Sequence, residues 1–243
     1  MRAKLPVYGM PEPGPRLEIR PRLASWDAAG HPSQVWLEEF LVEASRVCAP
    51  QLDQLPDPLA LRLDVGLPVE TPLLEQHDLD NYLFPLVTSL SKASGRRFVS
   101  VWGTKQHAPD SHLGVTEAVP AGDDLGPGQV FDVRTTAASD STAFKEQIDQ
   151  QLTEAVLLPE GPLRLHIGFL VGPRRHWANL WKPTIDALDR ILGRTTPNRS
   201  WHPRDGRIVE LGLSALTDPD LGHHVALRIH AGSSCNSARV ATT

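Results

Sequence analysis

Asp78-Leu79-Asp80-Asn81 is the stretch of this sequence whose residue types and spacing best suit chemistry. If Asp78 to Asp80 is extended, side chains two apart point the same way, so both carboxylates face one side. Beside the N-terminal amides of a helix, such a pair could hold a hard divalent ion that keeps positions open for phosphate oxygens. The plainer alternative is that Asp80 caps the helix and Asp78 is a solvated turn residue. Far along the chain, Gly172-Pro173-Arg174-Arg175 leads to a helix start bearing Lys182, and Asp205 stands at the entry to a strand. Paired arginines present planar forks to phosphates, and a lysine adds a point charge. Here too there are plainer alternatives: an Asp-Gly turn at Asp205 and an i,i+4 ion pair of Lys182 with Asp186.

The elements that must position these residues are read from charge and period. The chain has 243 residues with 24 Lys+Arg against 29 Asp+Glu, 40% hydrophobic residues and only two cysteines, Cys48 and Cys235, without metal-type spacing. This is enough apolar material for a core, and it excludes a disulfide scaffold. No apolar run approaches the ~20 residues of a membrane span. The N-terminus has no apolar stretch behind its charges, so the expected location is cytoplasmic. Between Arg174 and Arg207, eight basic residues face three acidic ones, a basic island on an otherwise acidic body. That pattern suits a localised anionic partner, or else a solvated Arg-rich loop.

The chain also repeats itself. Leu17-Glu18-Ile19-Arg20 matches Phe131-Asp132-Val133-Arg134, and Leu61–Leu67 matches Leu163–Phe169. Asn81 and Pro85 match Asn179 and Pro183, and Val99–Gly103 matches Ile208–Gly212, all in the same order. Collinearity gives the matches their force. It implies an α+β fold of two tandem β-α-β-α-β-β units. The copies span 14–118 and 128–231, joined by a Pro/Gly-rich linker at 119–127 and followed by a disordered tail at 232–243. Within the units, period predicts strands at Leu17–Leu23 and Val130–Thr136, and helices after Ser33 and over Thr142–Leu157. It predicts half-buried strands around Leu61–Val65 and Leu163–Ile167. Helices at 81–92 and 179–192 follow, with Pro85 and Pro183 in their first turns. Strands at 98–103, 207–214 and 223–230 close the units.

This order of motifs resembles the Holliday junction resolvases of the RusA family. The shared order is a strand, a Pro/Arg-rich turn, Asp-x-Asp-Asn opening a helix, a Lys three residues past the Asn, Asp-Ala-Leu, and an acidic residue heading the next strand. The resemblance implies a pseudo-twofold RusA-like dimer in one chain, a monomer that binds DNA, including branched DNA, with Mg²⁺ as cofactor. It implies catalytic roles for Asp78, Asp80, Lys182 and Asp205, with Asp78, Asp80 and Asp205 as metal ligands. Residues Arg174, Arg175, Trp177, Arg204 and Arg207 would contact nucleic acid. Departures from the pattern are complementary. Phe84 stands at the lysine position of the first copy, and His176 and Ala178 at the two aspartate positions of the second.

Since the family builds its carboxylate cluster within one protomer, the expectation is two separated, incomplete pockets, and hence nucleic-acid binding with lost or weakened cleavage. The alternatives are a Mg²⁺-dependent endonuclease with one composite site, and a protein–protein adaptor on a remnant fold. The distance between the Asp80 and Asp205 carboxylates decides between the separated and composite arrangements.

Overall fold

The computed structural model describes residues 5, 7–24, 27, 30–122 and 125–234. Its elements are α1 (Pro32–Gln54), β1 (Leu59–Leu67), α2 (Leu79–Ser94), β2 (Phe98–His107) and β3 (His112–Glu117), then β4 (Gln129–Thr135) and α3 (Thr142–Asp149). There follow β5 (Leu163–Val171), a 3-10 turn (Trp177–Leu180), α4 (Trp181–Asp186), α5 (Asp189–Leu192), β6 (Ile208–Thr217) and β7 (Val225–Ser233). All seven strands form one mixed sheet in the order β3-β1-β2-β6-β5-β7-β4. The pairs β1/β2 and β5/β6 are parallel, as strand–helix–strand crossovers require. At the middle, β2 and β6 run antiparallel, with Trp102 opposite Gly212. The outer strands β3 and β7 run antiparallel to β1 and β5.

Side chains alternate across the sheet. Leu61, Leu63, Val65, Val101, Leu165, Ile167, Leu211 and Leu213 share one continuous core with Phe40, Leu83, Leu86, Trp181 and Ile191 from the helices. Burial of this apolar surface is the main stabilising term. The opposite parity carries Arg62, Asp64, Thr104 and His166. There, Asp64 accepts from Arg62 and Thr104, and the Trp102 and His166 rings stack with centroids 5.4 Å apart. Gly103 lets α2 approach β2: a methyl there would meet Leu83 Cδ1 at 3.0 Å.

Several sequence expectations need correction. Leu17–Leu23 forms no strand; only Arg16 makes an isolated bridge, to His112. The Glu43 carboxylate instead accepts the Glu18 and Ile19 amides that a strand partner would have taken. His31, not Ser33, caps α1, accepting from the Ser33 amide. The helix expected over Thr142–Leu157 stops at Asp149. Pro85 lies in the second turn of α2, and the Asn81 carbonyl freed by its missing N–H accepts from Ala24 N at 2.8 Å. The helix expected over 179–192 is broken into a 3-10 turn and two short helices; Pro183, which cannot bond back to Asn179, lies in the first turn of α4, and a second break falls at Ala187–Leu188. The strands at 98–103, 207–214 and 223–230 run longer than their patterns, and Gly232 and Ser233 belong to β7 rather than to a tail. The rest of the expected tail, 235–243, lies outside the described residues, as do 123 and 124 of the expected linker.

Candidate metal centre

The chain leaves β1, makes a loop, and enters α2 at Asp78, whose extended backbone (φ −60°, ψ 127°) makes it the helix N-cap residue. His77 just before it holds a positive φ of 64°, an uncommon conformation for a residue with a side chain. Its ring Nδ1 lies 2.5 Å from the Tyr82 hydroxyl, which fixes the entry to the helix. Asp78 makes no capping hydrogen bond through its side chain. Asp80 sits in the first turn of α2, not in an extended segment, and caps nothing. Even so, both carboxylates turn the same way, and Asn81 Nδ2 donates to Asp78 Oδ2 at 3.2 Å.

From the other half of the sheet, the 3-10 turn Asp205–Arg207 brings Asp205 to the same place just before β6. Ligand oxygens of Asp78, Asp80 and Asp205 all lie within 4.8 Å of one another, close enough to hold a metal ion. Lys182 of α4 completes the group: its Nζ donates to Asp205 Oδ2 at 2.6 Å and pairs with Asp186 Oδ1 at 3.2 Å. Both the pairing of Lys182 with Asp186 and its part in a larger cluster therefore hold. The expectation of two separated, incomplete pockets is overturned. β1, which precedes Asp78, lies beside β2 and runs parallel to it, and β6, which follows Asp205, pairs antiparallel with the other edge of β2, so the two segments meet at the C-terminal end of β2.

Burial sets the electrostatics. Asp80 is 4% exposed, and its pKa is pushed up to about 7 by burial, with Lys182 pulling down and Asp205, Asp78 and Asp186 pushing up. Burial also raises Asp78, helped by Asp205. Burial works against the charge of Lys182, yet Asp80, Asp205 and Asp186 hold its pKa well above the ordinary lysine value. Converging oxygen donors whose negative charge is costly without a counter-charge are what a hard divalent cation satisfies. Asp78, Asp205, Lys182 and Asp186 line a cavity of about 380 Å³ whose walls include Thr195, Thr196, Arg199, Trp201 and His202, while Asp80 is buried behind them.

A residue the sequence did not single out lies beneath. Lys105 on β2 is 1% exposed, and its ammonium donates to the carbonyls of Gln76 (2.9 Å), His77 (3.0 Å) and Gly206 (2.6 Å). It thereby ties the loop carrying Asp78 to the turn carrying Asp205. Burial pushes its pKa down to about 8 against the pull of Asp78, Asp205 and Asp80. It follows Val101 and Gly103 on the core-facing side of β2, but it lies beyond the strand that the sequence pattern marks at 98–103.

The residues expected to contact nucleic acid fare differently. Arg207 is 1% exposed and donates to the carbonyls of Gly161, Leu192 and Pro159, so it is a structural residue and not a phosphate contact. Arg204 is held by both oxygens of Glu160, and Arg175 donates to the carbonyls of Ala137 and His223. Trp177 is half-buried against Trp181 and Phe169, and Trp181 is core. Much of the basic island is thus neutralised within the fold: Arg190 pairs with Asp149, and Arg194 with Asp189. Arg174 and Arg199 are exposed and have no ion-pair partner among the described residues. No described helix is long and apolar enough to cross a membrane. No family model, curated protein or solved structure matches the chain.

Proposed function

We propose that this chain is a Mg²⁺-dependent endonuclease acting on DNA through one composite centre, built on a duplicated RusA-like unit. The observation that carries the reading is the convergence of Asp78, Asp80 and Asp205 beside Lys182, with Asp78, Asp205 and Lys182 lining an open cavity. The duplication is supported by the sheet. The three-strand set β3-β1-β2 and the set β6-β5-β7 have the same internal pairing directions and meet at the antiparallel β2/β6 pair.

Asp78, Asp80 and Asp205 would hold the ion, which when bound polarises a phosphate oxygen and supplies an activated water. Lys182 stands at the cavity side of the cluster, 47% exposed along its side chain, where its charge faces a phosphate whose oxygens gain charge in the transition state. Asp186 and Asp205 keep that ammonium in place and charged. Arg199 at the cavity wall adds a cation for the flanking phosphate. Asp80, buried and within 4.8 Å of the other two carboxylates, would supply the ligand on the inner side of the cluster.

The test incubates four-way, forked and linear DNA with the protein and Mg²⁺, and compares Asp80→Asn and Asp205→Asn. Cleavage is expected to fall by about a hundredfold or more in either variant, with DNA binding in gel shift retained. Cleavage that survives both changes would place the activity elsewhere. DNA binding without cleavage by the unaltered chain would leave only a binding protein, and neither binding nor cleavage at low salt would favour the adaptor.

A further inference from the structure

The second cavity that matters is where the other half's centre would be. Reading outward from β5 as from β1, His176 and Ala178 take the places of Asp78 and Asp80. Phe84 takes that of Lys182, and the segment Gly95–Arg97 before β2 takes that of Asp205. These residues all line one groove of about 710 Å³ between α2, the segment after β5 and the end of β6. Among the described residues, no aspartate or glutamate lines it. Its cations differ in availability. Arg96 is committed to Asp57 and to the Leu52 and Leu55 carbonyls, and Arg175 to carbonyls of its own. Lys92, Arg97 and Arg174 are exposed and have no acidic partner among the described residues. The wall is aromatic: Phe84 is 38% exposed, set edge-on to Trp181 at 6.4 Å, with Trp177 packed behind.

We infer that this groove is a second, non-cleaving site that holds a strand of the DNA whose other strand lies in the metal centre. The inference rests on the nuclease reading for its partner, and on the groove's own chemistry for its mode. Three unpaired cations around an acid-free channel attract a phosphodiester backbone, and an exposed aromatic edge accepts an unstacked base. Without carboxylates the groove cannot gather a divalent ion, so a strand bound there is held and not cut. With no carboxylate among the described residues of its lining, the groove also lacks charges that would repel a backbone.

The test measures binding of a forked DNA to three proteins: one with Asp80→Asn, to prevent cleavage; the same with Lys92→Gln, Arg97→Gln and Arg174→Gln; and the same with the control Arg134→Gln on β4. Mn²⁺ binding to matching proteins that keep Asp80 is followed by electron paramagnetic resonance. The triple change is expected to weaken DNA binding by about tenfold or more near 0.1 M salt, and to reduce the slope of log K against log salt by roughly 0.9 for each phosphate that is no longer neutralised. Mn²⁺ binding should be unchanged. An unaltered affinity and slope, or an equal loss in the Arg134→Gln control, would overturn the inference. Mn²⁺ binding reports on the metal centre separately: its absence together with groove-dependent DNA binding would sink the nuclease reading and leave the groove standing.

Discussion

At the residue scale, the lysine pair explains how a cluster of carboxylates can be assembled from two distant parts of the chain. Lys182 offsets charge from the cavity side, while Lys105 works from below through three backbone carbonyls. Replacing Lys105 with Met keeps the volume of its stem but leaves those buried carbonyls without a donor. A buried group left unsatisfied costs about 1–3 kcal/mol, so Lys105→Met is expected to lower unfolding stability by about 3–5 kcal/mol in urea titration. It should also weaken Mn²⁺ binding, because the loop and turn that carry Asp78 and Asp205 lose their shared anchor. A stability change within about 0.5 kcal/mol would mean that other donors reach those carbonyls. His166 supplies a pH test well away from the centre. Burial, with His230 adding to it, pushes its pKa down to about 4, so the folded protein refuses a proton that the unfolded chain accepts below about 6.5. Stability from this residue is present at neutral pH and is lost as pH falls from about 6.5 toward 4, by roughly 3 kcal/mol in all. His166→Gln should flatten that part of the stability–pH curve. An unchanged slope would show that His166 is not the group responsible.

At the element scale, the centre depends on how closely the 205–207 turn approaches the loop before α2. Gly206 is the point of approach: a methyl there would lie 2.8 Å from the Glu75 carbonyl carbon and 3.1 Å from Gln76 N, both backbone atoms that cannot swing aside. Gly206→Ala is therefore expected to push loop and turn apart. Metal affinity should drop about tenfold or more, while unfolding stability falls by about 1–3 kcal/mol as in other overpacked sites. Wild-type metal affinity in this variant would mean that the cluster tolerates the separation. The same junction shows what the sequence could and could not disclose. Alternation along Leu61–Val65 and Leu163–Ile167 was legible because apolar and polar residues trade places at the period of a strand. Asp78, Asp80, Lys182 and Asp205 stood out by type and spacing, which left a helix cap, turns and an i,i+4 ion pair open as plainer readings, and their catalytic roles came only from the family resemblance. Their convergence was not legible, because it depends on β2 pairing with β6, which joins residues far apart in sequence. Nor was Lys105 legible, since its strand runs past the pattern that marked it. The island from Arg174 to Arg207 misled for a related reason: charge counts do not record that Arg207 is buried or that Glu160 and Asp149 already hold Arg204 and Arg190.

At the scale of the whole molecule, the proposed asymmetry has a consequence for products. A symmetric dimer with two identical centres can cut two strands of one branched DNA in a single encounter. This chain presents one carboxylate cluster among its described residues, and at the opposite end of the β2/β6 pair a groove without carboxylates. One encounter should then break one phosphodiester bond while the partner strand is held. On a supercoiled plasmid carrying an extruded cruciform, the nicked circle is expected to accumulate first, with linear DNA appearing only later as nicked circles are cut again. A gel time course at enzyme concentrations where size-exclusion chromatography with light scattering gives a monomer mass separates the two schemes. Under those conditions, linear product forming without a nicked intermediate would mean that a second cleaving centre exists in the chain. If linear product instead appears in step with a dimer mass, each chain still contributes one cut, and two chains acting together make the double cut.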